Sequence, residues 1–477
     1  MTPLKILFVS TEVNPYSKSG GLGDVAGSLP KALREEGADM RVVMPLYKSV
    51  PAHLLTGLRE VCSFNVQLGW RSQTATVFTI NDEIYFIKND HYFTRDGSGY
   101  YGHDDDFERF AFFSKAAVEL PGHINFGADI LHFNDWHTGL GATYLRDVYS
   151  KFVYYSKMKS LFTIHNLHYQ GVFGRHVLDD IGLGDSYFTN GDLEFHGNIS
   201  YLKAGIVHAH AVSTVSKTYA REIQTPAYGY GMDGLLHRRG TEEGKLYGIT
   251  NGIDTQINDP ETDSHIYVNF NAGSLDKKRE NKHRLQQDIG LPVCDVPMFG
   301  IVSRLAEQKG FDILSIIMDE LCGLDIQLVV LGTGEQRYEN MLRHFAGRFP
   351  HKVSANITFD ATLAQRIYAG ADIFLMPSVY EPCGLGQLFA MRYGTVPIVR
   401  KTGGLADTVR HFDGENGNGF LFEDYVADAL MWAVREALNV YGTPNWSQLV
   451  KNAISGDYSW CRAAKEYISM YRRIMQV

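Results

Sequence analysis

The segment KSGGLGD, Lys18–Asp24, joins an apolar run to a helical pattern. A strand, a glycine-rich loop and a helix in this order direct backbone N–H groups and the positive end of a helix dipole at one point, where anions bind. Lys18 adds a full positive charge beside Gly20, Gly21 and Asp24. The alternative interpretation is a tight turn that needs glycine only for its backbone geometry.

A second glycine pair lies in the other half of the chain. The segment TGGLADTV, which contains Thr402, Gly403 and Gly404, again follows an apolar run and again begins a helical pattern. Two loops of the same kind, one in each half, predict two similar domains that face one ligand.

Two basic residues follow an apolar run near the middle of the chain, in the segment SRLAEQKG. The guanidinium fork of Arg304 and the mobile charge of Lys309 suit a diphosphate. Two solvated surface charges are the alternative. The position directly after a predicted core strand favours the ligand, because parallel sheets bind ligands beyond the carboxyl ends of their strands.

The segment PSVYEPCGLGQ also follows an apolar run. Its carboxylate, Glu381, could hold a sugar hydroxyl or face a developing cation, and its alternative role is that of a partner for a helix N-terminus. Cys383 is predicted to be a small buried residue rather than a nucleophile. We group Cys383, Gly384 and Leu385 with the predicted donor-binding residues.

Two further strand ends carry polar and aromatic residues, in the segments NDWHTGL and HNLHYQG. Their candidate sugar-binding residues are Asp135, Trp136, His137, His165, Asn166 and Tyr169. The histidine spacing matches no recognised metal motif, and no metal site is predicted. Hydrogen-bonding groups together with an exposed Trp suit a hydroxyl-rich sugar.

Length and composition narrow the class of protein. A chain of 477 residues is too long for one ordinary core and predicts two domains. The net charge of −9 argues against nucleic acid, and no apolar run reaches the roughly 18 residues of a membrane span. Five widely spaced Cys and no apparent signal peptide predict reduced thiols in a cytoplasmic protein.

The order of elements predicts an α/β fold with parallel sheets. The second half alternates strand and helix, including a short strand over 357–359, and the first half adds a meander of strands between 62 and 88. A polar, aromatic loop is expected over 92–106. We predict a first domain over 1–250, a second over 251–457, and a final helix within 458–477 that packs back on the first domain.

Seven segments occur together in one order: KSGGLGDV, HFNDWHTGL, TIHNLHYQG, GITNGIDT, VSRLAEQKG, EPCGLGQ and TGGLADTV. In order and spacing the chain resembles the bacterial glycogen synthases and plant starch synthases over nearly its whole length. The resemblance implies the GT-B fold, two Rossmann-like domains with parallel sheets facing a deep interdomain cleft. It also implies a retaining glucosyltransferase that extends the non-reducing 4-hydroxyl end of an α-1,4-glucan from a nucleotide diphosphate sugar.

The same resemblance implies roles for single residues. Arg304 and Lys309 match the family's diphosphate clamp, Glu381 its essential carboxylate, and Asp135 and His165 residues that contact the glucose or the acceptor. Lys18, Gly20 and Gly21 match the N-domain loop, and Gly403 and Gly404 match the second glycine pair. No cofactor is expected.

Two positions depart from related patterns. Phe389 stands where related GT-B families carry a second Glu, and Phe359 aligns with a Tyr that lies under the nucleotide base in many bacterial members. A Phe can stack but has no hydroxyl. This departure leaves the base preference open. The resemblance to the bacterial members favours ADP-glucose, UDP-glucose is the alternative donor, and the sequence does not fix the oligomeric state.

Double displacement needs two carboxylates about 5 Å apart. Glu381 is the one good candidate, because Asp135 lies in the other predicted domain. We therefore expect front-face attack with retention. Alternatives from other classes are a nicotinamide oxidoreductase, which lacks support because the first loop does not read G-x-G-x-x-G, a pyridoxal-phosphate glucan phosphorylase, and a non-catalytic glucan-binding protein.

Overall fold

The computed structural model describes residues 3–95 and 99–476 of the chain. These residues form two compact units. Unit 1 extends to Asn251 and also includes the described residues from Trp460 onward, and unit 2 is Gly252–Ser459. Residues 96–98 of the predicted loop over 92–106 lie outside the described residues.

Unit 1 contains a nine-stranded sheet and a separate three-stranded antiparallel sheet, β8-β10-β9. Its strands are β1 Lys5–Val9, β2 Asp39–Pro45, β3 Arg59–Leu68, β4 Arg71–Thr79, β5 Ile84–Lys88, β6 Ile130–Asn134, β7 Lys159–Ile164, β8 Val172–Gly174, β9 Glu194–Phe195, β10 Asn198–Ser200, β11 Ala211–Thr214 and β12 Leu246–Gly248. Its helices before residue 252 are α1 Gly21–Glu35, α2 Asp106–His123, α3 Trp136–Thr143, α4 Ser186–Thr189, α5 Tyr201–His208, α6 Lys217–Glu222 and α7 Asp233–His237.

The strand order of the large sheet, β12-β11-β7-β6-β1-β2-β5-β4-β3, decides where its loops meet. The chain runs outward from β1 through β2 in one direction and later from β6 through β7 in the other, all in parallel. The switch point therefore lies between β1 and β6, where a ligand cleft forms at the carboxyl ends of parallel strands. The predicted meander is the antiparallel edge β5-β4-β3.

Unit 2 carries a six-stranded parallel sheet in the order β15-β14-β13-β16-β17-β18. Its strands are β13 Met298–Val302, β14 Gln327–Leu331, β15 Val353–Asn356, β16 Ile373–Met376, β17 Val396–Arg400 and β18 Phe420–Phe422. Its helices are α8 Asp276–Asp288, α9 Phe311–Gly323, α10 Gln336–Arg348, α11 Ala361–Gly370, α12 Gly386–Arg392, α13 Gly403–Thr408, α14 Ala427–Val440 and α15 Pro444–Ile454. This is the Rossmann order, with its switch point between β13 and β16.

The last helix, α16, runs over Trp460–Ile474 and belongs to unit 1. It packs against α1, and the hydroxyl of Tyr471 lies 2.8 Å from Nδ1 of the buried His132 on β6. The α16 face toward the core is apolar and includes Tyr467 and Ile474. Burial of this face, rather than helix propensity, holds the helix on the unit.

The parallel α/β class is confirmed, and one predicted strand is wrong. No strand covers 357–359; β15 ends at Asn356, the last residue paired with β14. The residues that follow lie beyond the sheet, and the side chain of Phe359 is 86% exposed. The alternation of the apolar residues Ile357 and Phe359 is typical of a strand, and it led to the wrong prediction. Alternation of apolar residues does not show where strand pairing ends.

Candidate active site

The switch point of unit 2 brings together the two chemical groups that the sequence placed 72 residues apart. Lys309 follows β13 and Glu381 follows β16, and the Lys309 Nζ lies 2.6 Å from Glu381 Oε2. The Ser378 hydroxyl, 3.1 Å from the same oxygen, is a second donor to it. Both charged side chains are largely buried. A carboxylate held in this way keeps a fixed position and a fixed negative field.

Arg304 and Lys309 both lie beyond the carboxyl end of β13. Arg304 is two residues past the strand and exposed, whereas Lys309 ends a single 3-10 turn, Glu307–Lys309. The predicted diphosphate clamp therefore consists of one surface guanidinium and one inward ammonium on the same loop. Their shared role toward a diphosphate stays a prediction.

Gly310 fixes where Lys309 points. Its φ is +81°, and a Cβ built on it would lie 2.1 Å from the carbonyl oxygen of Pro377. The neighbouring Val379 N–H donates to the Gln308 carbonyl at 2.9 Å, so the loops after β13 and β16 are joined directly. Only glycine fits both the left-handed backbone and this close approach.

Replacing Gly310 by Ala is expected to lower the stability of unit 2 and to displace Lys309. Left-handed strain alone costs about 1–3 kcal/mol in a non-glycine residue, and the contact with Pro377 adds to it. Denaturant unfolding followed by tryptophan fluorescence measures the loss. Gly323→Ala is the matched control, because a Cβ there meets nothing within 4 Å; equal stability of the two variants would contradict the expectation.

The glycine pair of the TGG segment packs against the Glu381 segment. Gly403 has a φ of +44°, and a Cβ on it would lie 1.9 Å from the Glu381 carbonyl oxygen. The Gly404 N–H donates to that same carbonyl at 3.1 Å. The two glycines are thus required for backbone packing behind the carboxylate. Their predicted role toward a phosphate is not tested by these contacts.

The remaining donor-side predictions lie on the same two loops or at the sheet edge. Cys383 is buried, as expected, and Gly384 has a φ of +73° next to Leu385 and α12. Thr402 is buried and precedes α13. Phe359 lies after β15 with an accessible ring. An exposed aromatic ring at the carboxyl edge of a nucleotide-type sheet can stack on a base.

In unit 1 the loop after β1 is organised by a carboxylate that the sequence interpretation missed. The buried Glu12 accepts hydrogen bonds from the Ser19 N–H at 2.5 Å, the Ser19 hydroxyl at 2.7 Å and the Gly20 N–H at 3.3 Å. The hydroxyl of Tyr101 also donates to it, at 2.6 Å. Glu12 therefore takes up two of the amides that the glycine loop was expected to offer an anion.

The start of α1 lies directly after the amides that Glu12 binds, and the predicted positive charge of Lys18 is paired with a carboxylate. α1 begins at Gly21, so the first N–H groups of the helix follow directly after Gly20, and a Cβ at Gly20 would meet nothing within 4 Å. Lys18 forms an ion pair with Asp24, with 2.7 Å between Nζ and Oδ1. The pair places both residues at the helix start. Burial raises the pKa of the Asp24 carboxyl.

Asp135 and His165 meet at the ends of β6 and β7. The Asp135 Oδ1 accepts the backbone N–H of His165 at 2.7 Å and that of Asn166 at 3.4 Å. Asp135 has a φ of +57°, a strained conformation for a residue with a side chain, which often accompanies function. Burial raises the pKa of Asp135 to about 7 and lowers that of His165 to about 3.

The predicted exposed Trp platform is wrong. Trp136 is 8% exposed, and its ring packs against Phe110, Phe173 and His137. His137 is also buried, stacked on Tyr101 with 4.2 Å between ring centroids. Both residues begin α3, which runs back into the core, so their rings serve packing. Asn166 is partly exposed and Tyr169 is 46% exposed, and their contact with a sugar stays a prediction.

Among residues 3–95 and 99–476, no group of three or more His, Cys, Asp or Glu residues could hold a metal ion. Across the same residues, no helix is both long enough and apolar enough to span a bilayer.

Comparison with known proteins places these features in a family. A family model described as the starch synthase catalytic domain matches residues 5–238, and one described as glycosyl transferases group 1 matches 287–455. A glycogen synthase of Clostridioides difficile (strain 630) is 48% identical over 99% of this chain and 100% of its own length. A glycogen synthase of Clostridium novyi (strain NT) is also 48% identical, over 99% of each chain. The chain belongs to the glycogen and starch synthase family. 

Solved structures support the same family and establish the fold. The catalytic domain of starch synthase IV from Arabidopsis thaliana, solved bound to ADP and acarbose, superposes with a TM-score of 0.92 at 32% identity over 100% of both chains. A sucrose-phosphate synthase from Thermosynechococcus elongatus, 18% identical over 99% of each chain with a TM-score of 0.61, shows the fold alone. The predicted GT-B fold and the prediction of a glycosyltransferase are confirmed.

Four residues of these sites escaped the sequence interpretation, and their signals differ. Glu12 lies in the segment STEVNPYSK, between an apolar run and a turn. A single acidic residue in this position does not indicate which groups it binds. Gly310 directly follows Lys309 and ends the turn Glu307–Lys309, and a glycine just after a turn is a signal for a left-handed backbone. Asn134, whose Oδ1 lies 2.9 Å from the His165 Nε2, and Ser378 are polar residues at or just past strand ends. Side chains at these positions of a parallel sheet reach its ligand edge.

Proposed function

We propose that this family member is a glycogen synthase that transfers glucose from ADP-glucose to the non-reducing 4-hydroxyl end of an α-1,4-glucan with retention of configuration. The observation that carries the proposal is the buried Lys309–Glu381 pair at the switch point of a Rossmann-ordered sheet. The named glycogen synthases and the ADP-bound starch synthase IV support the donor and the acceptor. The site of action we propose is the cytoplasm.

The donor's leaving group is a diphosphate, whose negative charge grows as the glycosidic bond breaks. Arg304 and the ammonium of Lys309 supply preorganised positive charge on one loop, and such groups stabilise a transition state more than a ground state. We propose that these two cations stabilise the leaving diphosphate without a metal ion. Activity that survives dialysis against EDTA would agree with this; loss of activity restored by Mg²⁺ would contradict it.

Glu381 faces the transferred glucose in this scheme. Its Oε2 is already engaged by Lys309 and Ser378, which lowers its nucleophilicity but leaves its negative field in place. That arrangement favours stabilisation of an oxocarbenium-like sugar over a covalent intermediate. The acceptor hydroxyl then attacks on the face that the diphosphate leaves, and a phosphate oxygen takes its proton.

A donor competition tests the proposal directly. The purified chain is given ADP-glucose and UDP-glucose in equal amounts with a maltooligosaccharide, and the released nucleoside diphosphates are separated and quantified. We expect ADP as the main product together with a longer α-1,4-glucan. Main release of UDP would overturn the donor assignment, and release without glucan growth would overturn the transfer.

Phe359 is proposed to stack on the nucleotide base. Phe359→Ala is expected to raise the KM for the donor about 5- to 140-fold with a smaller change in kcat, because base stacking on an aromatic ring contributes about 1–3 kcal/mol. Steady-state kinetics at saturating acceptor measures this. Phe359→Tyr, which keeps the ring, serves as the matched control and should stay near the parent value; an equal rise in both variants would contradict stacking.

A further inference from the structure

Asn134 is a fully buried residue at the end of β6, next to the switch point of unit 1. Its side-chain Nδ2 donates to the backbone carbonyls of Val9 at 3.0 Å and of His132 at 3.1 Å. These two carbonyls fix the orientation of the Asn134 side-chain amide. In the flipped orientation the Oδ1 would face two carbonyl oxygens, and none of the three can donate a hydrogen. The Asn134 Oδ1 therefore points away from them.

That oxygen meets the ring of His165. The distance between Asn134 Oδ1 and His165 Nε2 is 2.9 Å. An amide oxygen only accepts, so Nε2 must carry the hydrogen. In a neutral imidazole the second nitrogen then has a lone pair, and the position of the hydrogen on one nitrogen fixes the character of the other.

The other ring nitrogen, Nδ1, has no hydrogen-bond partner in the part of the chain that the structure describes. His165 itself is partly exposed, and its backbone N–H is held by the Asp135 carboxylate at 2.7 Å. Backbone and ring are thus fixed from two sides, by consecutive residues of the β6 end. Nδ1 is the acceptor that this arrangement presents to a ligand.

We propose that Asn134 is a positioning residue that locks His165 in the Nε2–H tautomer, so that Nδ1 accepts a hydrogen bond from a hydroxyl of the transferred glucose or of the acceptor. This inference rests on the proposed glucosyl transfer. Asn134 acts through His165 and touches no substrate. The device requires an amide at this position, since neither a carboxylate nor an apolar residue both donates to the two carbonyls and accepts from the ring.

The tautomer is measured on the full chain without substrate. Histidine labelled with ¹⁵N gives long-range ¹H–¹⁵N correlations that separate protonated from unprotonated ring nitrogens, and the His165 signals are those missing from His165→Gln. We expect a protonated Nε2 and an unprotonated Nδ1 from about pH 5.5 to pH 8, the range over which an unperturbed His changes charge. A protonated Nδ1 in the parent chain would overturn the proposal, whatever the enzyme's activity.

Two variants then connect the tautomer to the reaction. Asn134→Ala removes the acceptor, so the Nδ1–H form should appear and kcat/KM for the donor should fall about 10- to 100-fold, the range expected when one buried hydrogen-bond partner is lost. Asn134→Asp puts a carboxylate against Nε2 and favours the doubly protonated ring. Its kcat/KM should be lowest at acid pH and should recover as the pH rises through the new pKa of His165.

Titratable groups near His165 include His132 on β6 and Asp135 before α3, together with Tyr219 on α6, whose hydroxyl accepts the Leu167 N–H. All three are present in every variant, so a pH dependence that appears only in Asn134→Asp belongs to the new carboxylate. Thr138→Val is the control for plain structural damage, because the Thr138 hydroxyl accepts the Asn134 backbone N–H at 2.6 Å without touching the ring.

The outcomes separate the inference from the proposed function. A locked tautomer in the parent, lost in Asn134→Ala but kept in Thr138→Val, together with the loss of kcat/KM, supports the positioning role. A locked tautomer with unchanged kinetics in both Asn134→Ala and His165→Gln overturns the role of His165 in transfer. Equal kinetic losses in Asn134→Ala and Thr138→Val, with the tautomer retained in both, overturn the positioning role.

Discussion

Glu381→Gln is expected to lower kcat on the order of 10³-fold while the affinity for the donor stays within a few-fold of the parent. The substitution keeps the size and the hydrogen-bonding shape of the side chain but removes its charge. The Lys309 ammonium, 2.6 Å away, then has no counter-charge. A developing oxocarbenium ion would meet an uncompensated ammonium in place of the negative carboxylate, so the transition state is destabilised more than the bound donor.

Turnover is measured by coupled detection of released ADP, and donor affinity by calorimetric titration with ADP. Glu423→Gln is the matched control, because it makes the same chemical change at an exposed Glu paired with Lys401 in the same unit. It should leave both quantities unchanged. Near-normal turnover of Glu381→Gln would remove Glu381 from the reaction, and a parallel loss of ADP binding would make it a binding residue.

Lys309→Ala has the second large expected effect. It removes positive charge from the proposed diphosphate position and leaves the largely buried Glu381 carboxylate without its ion-pair partner. Removal of one preorganised charge should reduce kcat about 10²- to 10³-fold, and the exposed negative field of Glu381 should also weaken binding of the anionic donor. Breaking a buried pair destabilises a fold by about 3–5 kcal/mol, so a lower melting temperature is expected as well.

Steady-state kinetics with ADP-glucose gives both constants, and calorimetry gives the melting temperature. Lys277→Ala, at an exposed position on α8, makes the same change of net charge and serves as the control. The double variant Lys309→Ala, Glu381→Gln distinguishes a unit from two independent groups, because residues that act together give strongly non-additive losses. Additive losses, or unchanged kinetics in Lys309→Ala, would contradict the paired site.

The structure also alters the interpretation of the glycine-rich loop after β1. The composition of the loop predicts an anion site formed by backbone amides and Lys18. In the folded unit, Glu12 already accepts the N–H groups of Ser19 and Gly20, so the start of α1 at Gly21 is what remains for a ligand. A carboxylate in that position fixes the loop conformation and limits how much of it can face a phosphate.

The sequence by itself determined features whose cause is local. An apolar run, a glycine-rich loop and a helical pattern predicted β1 with α1 and β17 with α13. Such predictions succeed because neighbouring residues determine the periodicity of burial and the geometry of turns. The order of seven motifs was enough to indicate the family. The same local reasoning failed over 357–359, where an apolar alternation continues past the last paired residue of β15.

Only the tertiary structure decided which residues touch. Strand order places β13 beside β16, and that adjacency joins Lys309 to Glu381 across 72 residues of sequence. It likewise brings Asn134 of β6 to His165 after β7, and it turns Trp136 into the core with α3. Contacts of this kind depend on how distant strands are ordered and how their side chains pack, and no local pattern in a single sequence specifies that order.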